Sequence, residues 1–344
     1  KILITGHTGF KGSWLTLLLN HIGAEVIGLS KPIDKSNKHF KLLSLDNEII
    51  SIEGDICNEN DLNSVFNKYE PEFVFHLAAQ SIVKLSYDDP KSTFSTNVMG
   101  SLNLLNAVNK SNSVKVLVYI TSDKCYENLE WEWGYRENDR LGGSDPYSAS
   151  KASAEILFSS FERSFFAKKD YLGAATARAG NVIGGGDWAQ NRLIPDCIRS
   201  IENNSTLEIR NPKSTRPWQH VLEPLSGYLL LAYNLYKKPN EINGSWNFGP
   251  SSDDVKEVLD VSKEIFNIIG KGEVKIIDNN NSFKEANLLQ LNCDKASQLL
   301  NWKPKWNVSK SLNKTADWYK RYMEGENPKK ISLEHINEYF ENLL

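Results

Sequence analysis

At 344 residues, 40% of them apolar and 24% charged, the chain is long enough for about two domains, or one large domain with an appended lobe, and has an ordinary soluble globular composition. A net charge of −3 gives no electrostatic reason to expect nucleic acid or an anionic membrane as a partner, though local basic pockets for phosphate stay open. Cys57, Cys125, Cys197 and Cys293 are scattered, so neither a metal site nor a disulfide framework is expected, a cytoplasmic compartment fits, and no apolar run reaches the ~18 residues of a membrane span.

The chain opens inside a predicted strand, residues 2–5, without an initiator Met, so an upstream segment or targeting signal is left open. Further strands are predicted over residues 25–29, 49–53, 73–77, 116–121 and 173–178, each a short apolar run. Helices are predicted between them over residues 12–22, 61–69, 90–109 and 146–167. Gly23 follows the first helix in the C′ position, and Asp145 with Pro146 starts the last as N-cap and first helical residue. This alternation predicts an α/β fold: a doubly wound parallel Rossmann sheet covered on both faces, with ligands beyond the carboxyl ends of its strands. Past Asn181 the pattern loosens. Gly184-Gly185-Gly186-Asp187 reads as a loop, followed by helices over residues 193–201, 221–236, 255–269, 294–300 and 308–322 and a short strand at 246–248. Residues 1–180 are read as the cofactor-binding Rossmann domain and residues 181–344 as a smaller, mainly helical substrate lobe, with segments of the two interleaved.

Gly6-His7-Thr8-Gly9-Phe10-Lys11-Gly12 lies between the first strand and the first helix. Glycines at that junction allow a tight turn and let a pyrophosphate approach the N–H groups of the helix N-terminus. Gly6, Thr8, Gly9, Phe10, Lys11 and Gly12 are therefore candidates for holding a nucleotide cofactor, in a G-x-x-G-x-x-G rather than a G-x-G-x-x-G spacing. The second strand ends Gly28-Leu29-Ser30-Lys31, where an acid normally bonds the adenosine ribose. Ser30 substitutes only weakly and Lys31 could neutralise a ribose phosphate, so NAD and NADP are not separated here. Asp55-Ile56, after the third strand, could read the adenine, or Asp55 could cap a helix.

Thr121-Ser122-Asp123-Lys124 closes the fifth strand, and Tyr147-x-x-x-Lys151 puts a phenol and an ammonium one turn apart on one helix face. A neighbouring Lys⁺ favours the phenolate, which suits a Tyr that must lose a proton near neutral pH. Each piece alone has a plainer reading, as a solvated Tyr–Lys pair or as a turn after a strand. Beside a dinucleotide loop they point to oxidation of an alcohol by a base and a hydride acceptor. The extra acid and amine imply that more than one bond changes.

Gly6-x-x-Gly9-x-x-Gly12, Asp55-Ile56, His76-Leu77-Ala78-Ala79-Gln80, Tyr147-x-x-x-Lys151 and Arg178-x-x-Asn181-Val182-x-Gly184 together resemble the extended short-chain dehydrogenase/reductases that act on nucleotide sugars. The resemblance runs as far as Leu300-Asn301-Trp302-Lys303-Pro304. It implies bound NAD, held by the glycine loop with Asp55, Ile56, Leu77, Ala78, Ala79, Tyr147 and Lys151, and a nucleoside diphosphate sugar under the C-terminal lobe. Residues 6–14, 121–126, 132–137 and 145–151 most resemble the 4,6-dehydratase branch of that family, with CDP-glucose as the implied substrate and deoxysugar (O-antigen-type) biosynthesis as the implied setting. The base of the nucleotide rests on resemblance alone. Related dTDP-glucose enzymes carry Thr-Asp-Glu where this chain has Ser122-Asp123-Lys124, and epimerases of the fold have no acid at the position of Asp123.

By that resemblance Tyr147 takes the sugar 4-hydroxyl proton as hydride leaves C4, Lys151 lowers its pKa and bonds the nicotinamide ribose, and Ser122 or Thr121 orients the 4-oxygen. Asp123 protonates the departing 6-hydroxyl. Lys124 stands where relatives place a carboxylate base for C5; it is a neutral base, a cation facing the enolate, or a structural ammonium paired with an acid such as Glu127. Asn181, Leu193 and Arg216 are implied substrate residues, Arg216 through a planar fork suited to the diphosphate. His76 and His220 are read as structural, and Trp131 and Trp133 as packing. A 4-epimerase of the same fold is the competing reading, and a non-catalytic NAD-binding regulator a remote one. The Tyr147 helix pairs with a copy of itself in relatives, which implies a homodimer or higher homo-oligomer. No metal, nucleic acid or membrane partner is expected.

Overall fold

The computed structural model describes residues 1–33, 38–251, 254–277 and 288–341. The early apolar runs form β1 (Ile2–Thr5), β2 (Val26–Ser30), β3 (Ile50–Glu53), β4 (Phe73–His76), β5 (Val116–Ile120) and β6 (Gly173–Arg178). Their pairings are all parallel. Strands β2, β5 and β6 are buried along their whole length, as a sheet covered on both faces requires. The connections carry α1 (Phe10–His21), α2 (Lys38–Leu42), α3 (Glu59–Tyr69), α4 (Val83–Asp88), α5 (Pro90–Phe94), α6 (Ser101–Lys110) and α7 (Pro146–Ser164). Asp145 caps α7 by accepting from the Ser148 N–H at 2.9 Å, with Pro146 in the first turn.

Beyond Arg178 come β7 (Val182–Ile183), α8 (Leu193–Glu202), β8 (Leu207–Ile209), β9 (Thr215–Pro217), β10 (Gln219–His220), α9 (Leu222–Lys237), β11 (Gly244–Asn247) and β12 (Val255–Glu257). They are followed by α10 (Val258–Ile269), β13 (Val274–Ile276), α11 (Asp294–Leu300), α12 (Val308–Met323) and α13 (Pro328–Phe340). Strand β11 returns to the main sheet beside β6, giving a seven-stranded order β11-β6-β5-β4-β1-β2-β3. The chain thus threads between lobe and sheet. The order reverses between β1 and β4, and a cleft opens there at the strand ends.

Three local departures from the sequence expectation have identifiable causes. The helix expected over residues 90–109 is interrupted by a π-turn, Ser95–Gly100. Inside it the buried Asn97 accepts from the Gln80 N–H at 2.8 Å and donates to the Gln80 carbonyl and to Ser150 Oγ at 3.0 and 2.9 Å. A widened turn places that amide between two elements the helix pattern does not reveal. The helix expected from residue 255 begins only at Val258, because Val255–Glu257 pairs antiparallel with Thr215–Pro217. The helical lobe also carries two further two-stranded ladders, β10 with β7 and β13 with β8.

Buried polar and aromatic contacts hold the lobe together and join it to the sheet domain. Trp14 of α1 donates to the Gly185 carbonyl at 2.9 Å, and Trp318 of α12 packs so tightly on Gly185 that a Cβ there would overlap its ring. Glu223 of α9, fully buried, accepts from the Trp306 N–H at 2.7 Å and the Tyr339 hydroxyl at 2.6 Å. Tyr319 donates to the Asp187 carbonyl at 2.6 Å. Helix α12 therefore holds the loop that follows β7.

Candidate active site

A cleft of about 2470 Å³ runs across the carboxyl ends of the parallel strands, from the glycine loop to the ladder of β9. The candidate cofactor, catalytic and substrate residues line it: Gly6, Thr8 to Gly12, Asp55, Ile56, Leu77 to Ala79, Thr121 to Lys124, Tyr147, Lys151, Asn181, Leu193 and Arg216.

At one end the glycine loop fits a dinucleotide pyrophosphate. Gly6 has φ +74°, and a Cβ on it would sit 2.7 Å from the Ala78 nitrogen. A Cβ on Gly12 would overlap the Gly6 carbonyl, so the first turn of α1 comes close to the loop only because side chains are absent. Ser30 is turned inward: its hydroxyl bonds His7 Nδ1 at 2.9 Å and accepts from the Thr8 N–H at 3.4 Å. The weak ribose contact considered for Ser30 is thus replaced by an internal one. Lys31 pairs with Asp55 at 3.1 Å, and Asp55 accepts from the Cys57 N–H at 2.9 Å. Burial pushes the Asp55 carboxyl up, but the Cys57 amide and Lys31 hold it below its ordinary value. The cap of α3 is Asn58, not Asp55.

In the middle of the cleft α7 presents Tyr147 and Lys151, both buried. The expected lowering of the Tyr147 pKa by Lys151 is not what dominates. Burial pushes the phenol up to about 12, and the opposing pulls come from the Ser122 side chain and from Arg192. The Lys151 ammonium is itself brought down to about 8 by burial, against the attraction of Glu155. Ser122 donates to Asp123 Oδ1 at 2.9 Å and accepts from the Lys124 N–H at 3.2 Å. Asp123 is buried, with its carboxylate pressed against Gly180. Lys124 is half-buried and, among the described residues, forms no ion pair, because Glu127 is taken by Arg140 at 2.9 Å.

The Thr121 hydroxyl donates to Glu155 Oε1, so of the two candidates for the sugar 4-oxygen Ser122 is the one carried forward. Desolvation brings the Lys11 ammonium down to about 8, with Arg192 and Lys151 adding to the lowering and Asp123 opposing it. His76 bonds Thr5 Oγ1 at 2.6 Å and Ser101 Oγ at 3.0 Å, and His220 lies among Trp14, Trp306 and His335; both are core residues.

Two groups were not anticipated. Arg192, at the N-terminus of α8, is held by Asp187 at 3.0 Å and reaches the surroundings of Tyr147. Glu155, buried one turn beyond Lys151, anchors the underside of the site. Only the i,i+4 spacing of Lys151 and Glu155 and the acid closing the Gly184–Asp187 loop hinted at them in the sequence.

A glycine loop, a phenol–lysine pair and a buried acid at the switch point of a parallel sheet define a dinucleotide-dependent enzyme site of the extended Rossmann class. The chain belongs to the GDP-mannose 4,6 dehydratase family, which it matches over residues 3–315. It is 46% identical to the CDP-glucose 4,6-dehydratase of Salmonella typhimurium, over 98% of this chain and 96% of that protein. A CDP-paratose 2-epimerase of Salmonella typhi is 28% identical over 92% of this chain and 98% of its own length. Among solved structures, the dTDP-glucose 4,6-dehydratase of Bacillus anthracis in complex with NAD shares the fold at a TM-score of 0.77 and 22% identity, with 95% of this chain and 99% of that one covered. A UDP-glucose 4-epimerase of Thermotoga maritima does so at 0.78 and 23% identity, with 94% and 99% covered.

Proposed function

We propose that the chain is a CDP-glucose 4,6-dehydratase, a hydro-lyase that converts CDP-glucose to CDP-4-keto-6-deoxyglucose and water. The observation that carries this reading is the placement of Tyr147, Ser122, Asp123 and Lys124 in one cleft beside the glycine loop, in a chain 46% identical to an enzyme of that name. NAD fits the loop, and Gly6, Thr8, Gly9, Phe10, Lys11, Gly12, Asp55, Ile56 and Leu77 to Ala79 would hold it. Bound there, it supplies a hydride acceptor that is regenerated in each turnover.

Tyr147 takes the proton from the 4-hydroxyl, with Ser122 bonding the same oxygen. Because burial raises this phenol, its basicity depends on nearby positive charge. Arg192 provides it, and Lys151 bonds the nicotinamide ribose. The 4-ketone makes C5–H acidic. Lys124, at the strand end beside the leaving group, removes that proton or stabilises the resulting enolate. Asp123 gives its proton to the 6-hydroxyl, which leaves as water; the C5=C6 bond so formed takes back the hydride at C6 and a proton at C5, which gives the 4-keto-6-deoxy sugar. Asn181, Leu193 and Arg216 hold the nucleoside diphosphate.

No helix among the described residues is long and apolar enough to cross a membrane. The likeness to a CDP-glucose 4,6-dehydratase supports a reaction that supplies deoxysugar synthesis of the O-antigen type, read as cytoplasmic. The assembly is read as a homodimer through α7. Leu85, Met99 and Ile156, on α4, the π-turn and α7, are 51%, 54% and 60% exposed, an apolar surface suited to a second copy of the same helices.

The test is incubation of the protein and NAD with the CDP-, dTDP-, UDP- and GDP-glucoses, reading product mass. Loss of one water from the CDP sugar in preference to the others is the expected result. An unchanged mass with inverted C4 would replace this reading with a 4-epimerase.

A further inference from the structure

Glu155 is buried on α7 one turn beyond Lys151, and its carboxylate gathers four donors from three other elements. Thr121, directly after β5, donates to Oε1. Thr176 and Arg178 of β6 donate to Oε2 at 2.9 and 2.7 Å, and Ser245 of β11 at 3.1 Å. Arg178 is in turn held by the Tyr126 hydroxyl at 2.6 Å and the Glu137 carbonyl at 2.9 Å. The carboxylate therefore lies in a rigid, fully buried frame under the residues that do the chemistry.

We infer that Glu155 is a positioning residue for the reaction. Its carboxylate stands one helical turn from Lys151 on the same buried helix, and it fixes through Thr121 the turn that carries Ser122 and Asp123 into the cleft. The charged and titratable groups around Lys151 support the electrostatic half. Glu155 on its own helix and Cys125 after β5 favour the ammonium. Lys11 at the start of α1 and His76 at the end of β4 face it with positive or neutral character. Around Glu155 itself stand Arg178, Tyr119 and Cys125. Glu155 is thus the full negative charge that opposes the loss of the Lys151 proton by burial. Arg178, Thr121 and Thr176 hold Glu155 below its ordinary value despite its own burial, and Ser245 donates to the same carboxylate.

The sign follows directly. Removing the carboxylate removes an attraction, so the midpoint of Lys151, about 8 with Glu155 present, must fall toward neutrality. The inference rests on the dehydratase reading only for the rate profile; the direct titration of Lys151 does not depend on which sugar is the substrate.

The experiment compares the parent with Glu155→Gln and Glu155→Asp by NMR titration of labelled lysine side chains, the Lys151 signal being the one lost in Lys151→Arg. In Glu155→Gln the Lys151 midpoint is expected to fall by about one pH unit or more, and the alkaline break of the rate profile to move down with it. In Glu155→Asp, which keeps the charge, the midpoint stays near that of the parent. Glu155→Gln leaves the Arg178 charge buried alone, so where that variant does not fold the comparison is made with Glu155→Gln/Arg178→Gln. Arg178 is not among the groups that move Lys151, so the double variant carries the same expectation. A Lys151 midpoint unchanged in a folded variant lacking the carboxylate would overturn the inference, whatever happens to turnover.

Discussion

Burial holds the Tyr147 phenol near 12 while Ser122 and Arg192 pull it down, so the base works only while its cationic neighbours stay charged. Tyr147→Phe keeps the shape and the packing but not the proton acceptor. It is expected to lose turnover by at least ~100-fold with an unchanged thermal midpoint and near-parental substrate affinity by calorimetry; turnover within tenfold of the parent would remove Tyr147 from its role. Asp123→Asn cannot protonate a leaving hydroxyl, and oxidation at C4 makes no use of Asp123. Rapid quench is therefore expected to show 4-keto-glucose nucleotide building up ahead of the 6-deoxy product. Parental rates of water loss would reassign the acid. Lys124 forms no ion pair among the described residues, and a Lys124→Met change is expected to suppress exchange of the C5 hydrogen with deuterium from solvent along with turnover. Normal C5 exchange would make Lys124 a bystander.

The Gly184–Asp187 loop connects fold and site at the scale of elements. Gly185 touches the Trp318 ring, Asp187 accepts from Tyr319 and holds Arg192, and Arg192 acts on Tyr147. A methyl at Gly185 must push α12 or the loop aside, so Gly185→Ala is expected to cost about 1–3 kcal/mol of stability and to raise KM. Urea unfolding and steady-state kinetics check the two effects together. The π-turn illustrates the same coupling. Asn97 joins Gln80, after β4, to Ser150 on the catalytic helix, and helix periodicity carries no sign of such a cross-link.

For the whole molecule, burial holds His7 to about 4 and His39 and His76 to about 3. Each is neutral in the folded chain but takes up a proton near pH 6.5 when unfolded. A depressed folded-state pKa contributes stability that is present above the unfolded value and is lost as pH falls toward the folded one. Stability is therefore expected to decline from pH 6.5 downward, by about 1.4 kcal/mol per pH unit for each such group, with carboxylate titration adding to it near pH 4. Urea midpoints between pH 7 and pH 4.5 read the slope, and His39→Gln should flatten it. For the proposed homodimer, Ile156→Glu puts a charge on an apolar residue 60% exposed on α7; light scattering is expected to show a parent dimer reduced to a monomer, and a parent that is itself monomeric would remove the α7 interface.

Much of this protein is written in local pattern. The short buried runs ending at Thr5, Ser30, Ile120 and Arg178, the Asp145-Pro146 start of α7 and the glycine loop each follow from spacing and residue type within one element. The residues lining the cleft could be named for the same reason: ligands of a parallel sheet gather at strand ends, and strand ends are visible in sequence. What only the tertiary structure decided involves partners far apart in the chain. Strand β11 enters the main sheet beside β6, Val255–Glu257 pairs with Thr215–Pro217 instead of starting a helix, and Ser30 turns inward to His7. The pKa values of Tyr147 and Lys151 belong to this group as well. Spacing brings a phenol and an ammonium together, but burial and charges supplied by Arg192 and Glu155 set their proton affinities. Desolvation depends on everything packed around a group, and no stretch of sequence contains that surrounding.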